Sequence, residues 1–215
     1  ANHLGHLVLH GATGRERIDQ IMASLRESPP TAIDGVAVSE VSDRQDPARG
    51  VPASLTEQMG RNMVSFVLDD GSRVIVRPSG TEPKLKLYVE LTCEAPDDLT
   101  PVRDELLSKA KARADAMVLM MMERIDVRLP PWALRIGDRV NLDTKIMWAN
   151  QLVPALLEQL EENPEGAVNW LRSRLNADER ALLRPGIASL IQSLGFEHPS
   201  LWACFADPES ENHDS

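Results

Sequence analysis

The chain has 215 residues, 42% of them hydrophobic and 26% charged, and a net charge of -10. This composition supplies enough apolar material for one or two cores and excludes a disordered polymer. No apolar run reaches the about 18 residues needed to cross a bilayer, residues 1–10 lack the basic start of a signal peptide, and the acidic balance argues against a nucleic-acid partner.

Cys93 and Cys204 are far apart in sequence and fit no paired metal or redox spacing, which predicts two reduced thiols and a cytoplasmic protein with no membrane partner.

After a short apolar lead-in, Gly14 opens a segment in which Ile18, Ile21, Met22 and Leu25 follow helical spacing up to Pro29-Pro30. Val36, Val38 and Val41 mark a short strand, and the turn-forming stretch SDRQDPARGVPAS reads as a long mobile loop. NMVSFVLDDGSRVIVRP then alternates on either side of Asp70-Gly71, the signature of an antiparallel hairpin. In KLKLYVELTCE, Leu85, Leu87, Val89 and Leu91 fall on one face and Lys84, Lys86, Tyr88 and Glu90 on the other, so one face is core and one is wetter. From Asp97 to Glu123 the pattern is helical, with Asp97 or Asp98 as cap and a stripe of Val102, Leu106, Ala110 and Ala114. This order predicts an α+β domain: a four-stranded, mostly antiparallel sheet covered on one face by two helices. The methionine-rich run AMVLMMMERI that closes it reads as core or interface packing.

Residues 126–145, with Pro130, Pro131 and Gly137, read as a linker. An all-α extension over 146–208 follows, carried by MWANQLVPALLEQLEE, EGAVNWLRSRL and ADERALLRPGIASLIQSLG. Asn176 with Glu179 forms a capping pair at the last of these helices, and residues 209–215 make a flexible tail. The apolar stripes of the extension suit packing on the first domain, a bundle of their own, or an interface with another copy or another protein.

The segment that carries chemistry is Arg77-Pro78-Ser79-Gly80-Thr81-Glu82-Pro83-Lys84, between two strands. Arg77 offers a planar fork of donors, Ser79 and Thr81 add hydroxyls, and Gly80 lets backbone N–H groups turn into the same concavity, which together make an anion cradle. The two prolines limit the loop's wandering. The same residue types also furnish an ordinary turn, and on type alone both readings stand.

RPSGTEPKLKLYVE resembles the phosphate-binding loop and following strand in the last domain of the α-D-phosphohexomutase family, the phosphoglucomutase and phosphomannomutase type. GATGRERIDQIMASLRESPP followed by GVAV resembles the start of that domain, so the resemblance covers residues 10–123 and implies a domain over 1–125. It implies that Arg77, Ser79, Gly80 and Thr81 contact a substrate phosphate, with Lys86 a further contact on a strand position that also suits a solvated face. Glu82 is expected to order the loop, since a carboxylate repels phosphate. Family members move a phosphoryl group between the 1- and 6-hydroxyls of a hexose through a bisphosphorylated intermediate that turns around.

The resemblance further implies a phosphoserine loop, an Asp-Gly-Asp-x-Asp magnesium loop and a sugar-reading loop, none of which occurs in these residues. Catalytic residues and metal ligands are therefore expected to be absent from this chain. Magnesium, the remaining mutase domains and a hexose phosphate are the implied cofactor and partners. The chain is expected to be inactive alone, as the C-terminal portion of a longer enzyme. A stand-alone sugar-phosphate-binding or protein-interaction module is the alternative. Asp69-Asp70 reads as a turn rather than a metal site, and His3, His6 and His10 as a fortuitous set.

Overall fold

The computed structural model describes residues 1–9, 13–46, 60–93, 99–137, 139–195 and 199–205. The chain divides into two compact units, Ala1–Arg128 and Leu129–Ser215.

The first unit contains strands β1 (Asn2–Val8), β2 (Ala32–Ile33), β3 (Val36–Asp43), β4 (Val64–Leu68), β5 (Arg73–Pro78) and β6 (Lys84–Glu90), with helices α1 (Gly14–Glu27) and α2 (Leu99–Glu123). The class is α+β, but the sheet has six strands rather than four, in the order β1-β6-β5-β4-β3-β2, and every pairing is antiparallel. The lead-in residues supply the additional edge strand β1, whose His3, Gly5 and Leu7 face Val89, Leu87 and Leu85 of β6. The other additional strand is β2, joined to β3 through Asp34-Gly35. Both turn residues have positive φ, 52° and 73°, the backbone of a type I′ hairpin turn.

The β4–β5 hairpin falls at the expected dipeptide. Gly71, at φ 76°, donates to the Leu68 carbonyl at 2.9 Å, and Leu68 donates to the Ser72 carbonyl at 2.9 Å. Alternation puts Val64, Phe66, Val74, Val76, Leu85, Leu87 and Val89 in the core, where Ile18, Ile21, Met22 and Leu25 of α1 join them. Helix α2 lies against β1 and β6 and adds Ala110, Ala114, Met117 and Met121, so those methionines are core packing. The two helices are clasped at one end, where Arg124 donates to the Ser24 hydroxyl at 2.8 Å and Gln20 donates to the Arg124 carbonyl at 3.2 Å. The expected mobile loop falls largely, and the Asp97 or Asp98 cap entirely, outside the described residues.

The second unit is helical over its described residues: a 3₁₀ turn at Pro131–Arg135, α3 (Leu142–Met147), a π-helical turn at Trp148–Leu152, α4 (Val153–Glu162), α5 (Pro164–Arg172), α6 (Ala177–Leu194) and α7 (Pro199–Ala203). Residues 126–145, expected to be a linker, thus hold a 3₁₀ turn and most of α3, with Trp132, Ala133, Ile136 and Leu142 buried. The π turn precedes Pro154, which has no N–H for the carbonyl one turn back, and Val153 donates to Trp148 in the wider ring. Asn176 and Glu179 form the expected capping box, with bonds of 2.9 Å in each direction. The expected tail, 209–215, lies outside the described residues.

Candidate functional site

The loop between β5 and β6 is built on a ladder that sets Arg77 opposite Lys86 and Pro78 opposite Leu85. Ser79 extends the ladder by donating its N–H to the Lys84 carbonyl at 2.8 Å, and Lys84 donates back to the Glu82 carbonyl at 2.8 Å. Across this turn the Lys84 ammonium lies 2.6 Å from Glu82 Oε2. The hydrogen bond from Lys84, then its charge, holds the Glu82 carboxyl below its ordinary range, with smaller contributions from Lys86 and His6. Glu82 is therefore engaged within its own turn.

The loop is also braced from the segment before α1. Leu9 donates its N–H to the Pro83 carbonyl at 3.0 Å. Gly14 opens α1 so close by that a Cβ there would collide with the Leu9 carbonyl oxygen. Only glycine fits that approach, and it brings the first turn of α1, with Arg15, alongside the loop.

The result is a cavity of about 200 Å³ lined by Arg15, Gly60, Asn62, Arg77, Pro78, Ser79 and Gly80. No carboxylate is among its lining residues, and Arg15 and Arg77 are the charged residues among them. Ser79 is 4% exposed. Arg77 lies with its guanidinium carbon 5.6 Å from the Tyr88 ring centroid, and its Nε is buried without a hydrogen-bond partner among the described residues. A buried donor left unmade costs about 1–3 kcal/mol. The donor types among the lining residues suit an oxyanion.

Three of the expected contacts, Arg77, Ser79 and Gly80, thus converge on one cavity. Thr81 is exposed on the loop and does not line it. Lys86 is half-buried on the sheet face away from the helices, across the ladder from Arg77, and does not line it either. Arg15 and Asn62 were not among the expected contacts. The former is brought to the loop by the close approach of Gly14 to Leu9; the latter lies in the turn before Val64, which pairs with Val76.

Other chemistry is accounted for. Asp70 accepts from Ser72 Oγ at 2.6 Å, from Ser72 N–H at 3.1 Å and from Arg113 at 3.0 Å, and Arg113 also donates to Ser72 Oγ. Desolvation pushes the Asp70 carboxyl up, but the Ser72 bonds and then Arg113 together outweigh it and leave it below the ordinary value. The Asp69-Asp70 turn is thus a latch between the β4–β5 hairpin and α2. His3 and His6 are three residues apart on a strand and face opposite sides of the sheet, and His10 lies outside the described residues. Among the described residues no three His, Cys, Asp or Glu groups gather as metal ligands. Cys93 is an exposed free thiol, and Cys204 is buried with its thiol pushed up by that burial. No helix in the described residues is long and apolar enough to cross a membrane.

The family model for the phosphoglucomutase/phosphomannomutase C-terminal domain matches residues 30–105, a span that includes β5, the loop and β6. Residues 30–105 are similar to the C-terminal domain of phosphoglucomutases and phosphomannomutases. Phosphoglucomutases of Staphylococcus aureus strains MSSA476, N315 and MW2 are each 36% identical to this chain over 95 residues, 42% of the chain and 17% of the relative. The match therefore spans about a sixth of the length of these relatives. Within the matched span lie Asn62 and all five expected contacts, whereas Arg15 precedes it.

Proposed function

We propose that the cavity binds the phosphate group of a hexose phosphate, and that the chain is the C-terminal portion of a phosphohexomutase that interconverts hexose 1- and 6-phosphates. The observation that carries this reading is the convergence of Arg77, whose Nε is buried with no partner among the described residues, and the buried Ser79 on one cavity, within the matched span. Arg77 and Arg15 supply charge, Ser79 supplies a hydroxyl, and the Ser79–Gly80 turn gives the anion close access to backbone.

In this reading the domain grips the phosphate that is not being transferred. The phosphoserine, the magnesium site and the sugar-reading loop belong to other domains, and the chain alone turns nothing over. Because the substrate must present either end in turn, the cavity reads the phosphate and not the sugar. Lys86 and Thr81 serve as outer contacts once those domains close over the ligand. Its place is the cytoplasm, where hexose phosphates are handled.

Calorimetric titration of the chain with a hexose 1-phosphate, a hexose 6-phosphate and the unphosphorylated hexose tests this. Both phosphates should bind with similar affinity and the free sugar should not. Equal binding of all three, or of none, contradicts it.

A further inference from the structure

Asn62 lies outside the loop that the sequence singles out, yet it lines the same cavity as Arg77 and Ser79. It lies in a tight turn just before β4, where Met63 donates its N–H to the Arg61 carbonyl at 2.7 Å, Arg44 donates to the Met63 carbonyl at 3.0 Å, and the neighbouring Val64 pairs with Asp43 and Val76.

The side chain is oriented by a residue that does not line the cavity. Arg26, in the last turn of α1, donates from Nη2 to Asn62 Oδ1 at 2.7 Å and from Nε to Asp43 Oδ2 at 3.0 Å. A guanidinium is only a donor, so the Asn62 atom that meets it must be the carbonyl oxygen. That contact fixes one of the two amide flips and leaves the NH₂ without a partner among the described residues. Asp43 balances the Arg26 charge, and with side chains 21% and 28% exposed the pair is largely withdrawn from solvent.

We propose that Asn62 is a further anion-binding residue, a neutral donor to a phosphate oxygen, and that Arg26, braced by Asp43, is the positioning residue that sets its amide. The inference rests on the phosphate reading given above. It assigns the cavity a donor on the wall away from the β5–β6 loop, so that the anion is gripped from both sides.

The test uses the ¹⁵N-labelled chain of 215 residues titrated with inorganic phosphate at constant ionic strength, followed by NMR. The Asn62 side-chain NH₂ pair, identified by its loss in Asn62→Asp, should shift with the same Kd as the Arg77 Nε–H. Asn62→Asp keeps an acceptor for Arg26 but replaces the donor with a carboxylate, so the fold should hold while phosphate binding weakens by roughly tenfold or more. Asn62→Ala should weaken binding several-fold, and it decides the matter by the same comparison if the aspartate variant does not fold. Arg26→Met should also weaken binding. The double variant Arg26→Met/Asn62→Ala should bind no more weakly than Asn62→Ala, because Arg26 acts through Asn62.

Wild-type Kd in Asn62→Asp, with Arg77 still responding, overturns the assignment of Asn62 while leaving the phosphate reading in place. Additive losses in the double variant overturn the positioning role of Arg26. An unresponsive Arg77 in the wild-type chain overturns the phosphate reading, and this inference with it.

Discussion

Leu9 donates its N–H to the Pro83 carbonyl at 3.0 Å, and the same Leu9 presents its own carbonyl to Gly14 with no room for a side chain between them. One residue thereby fastens the β5–β6 loop to the start of α1, and the two cationic walls of the cavity, Arg15 and Arg77, depend on that junction.

Gly14→Ala forces a Cβ against backbone at a distance no rearrangement of a flexible side chain can relieve. We expect a loss of at least about 1–3 kcal/mol, the range for overpacking, together with weaker phosphate binding as Arg15 moves from the loop. Thermal melts and a phosphate titration of the same variant would check both. An unchanged midpoint would show that the junction is looser than described.

The hairpin latch predicts an acid-sensitive contribution to stability. The Asp70 carboxyl is held below its unfolded value, so its contribution is fully present above the ordinary carboxylate range, at pH values above about 4, and is lost as pH falls through the folded-state pKa. Since the Asp70 side chain is 42% exposed, solvent screening limits the effect to about 1 kcal/mol or less. Urea unfolding at pH 6 and pH 3 should show a smaller difference for Asp70→Asn than for the wild-type chain. Identical acid limbs would remove Asp70 from the account.

In the second unit the capping box at Asn176 satisfies a backbone donor at the start of α6 that has no helical partner. Asn176→Ala should lower stability by about 1 kcal/mol, and Asn176→Ser should recover most of it. Denaturant unfolding followed by Trp fluorescence provides the measurement.

The parts of the fold with strong period-two alternation were legible in the sequence, including β6 and the hairpin at Asp70-Gly71. Strand β1 was not, because its inward set His3, Gly5 and Leu7 carries a single large apolar residue and so shows no alternation. The Asp34-Gly35 turn has the right dipeptide, but β2 is two residues long, too short for any periodic signal. In the second unit, Pro130, Pro131 and Gly137 read as breakers, whereas tertiary packing folds them into ordered structure: Gly137 donates to the Leu182 carbonyl at 3.1 Å, and Gly186 lets α6 approach the Trp132 ring.

The site divides along the same line. Arg77, Ser79 and Gly80 were visible because they are contiguous and chemically distinctive. Asn62 and its partner Arg26 are separated by 36 positions, and only the strand register and the helix packing bring them together.

Arg77 is the residue on which the functional reading turns. A charge-assisted hydrogen bond contributes roughly 1.5–3 kcal/mol, so Arg77→Ala should weaken phosphate binding by about 10- to 150-fold. Arg77→Lys should recover only part of this, since a point charge cannot hold two oxygens in a fixed orientation. In a full-length enzyme the same factors should appear in kcat/KM.

The most direct measurement is a hexose 6-phosphate titration of the ¹⁵N-labelled chain that observes the Arg77 Nε–H itself. It is a buried donor without a partner among the described residues, and under the phosphate reading a ligand beside Arg77 is expected to change its resonance. Saturable movement of that signal together with the Ser79 and Gly80 amides, repeated with the hexose 1-phosphate and absent with the free sugar, is the predicted result. Signals at Arg77, Ser79 and Gly80 that stay fixed while the ligand binds elsewhere would contradict the phosphate site.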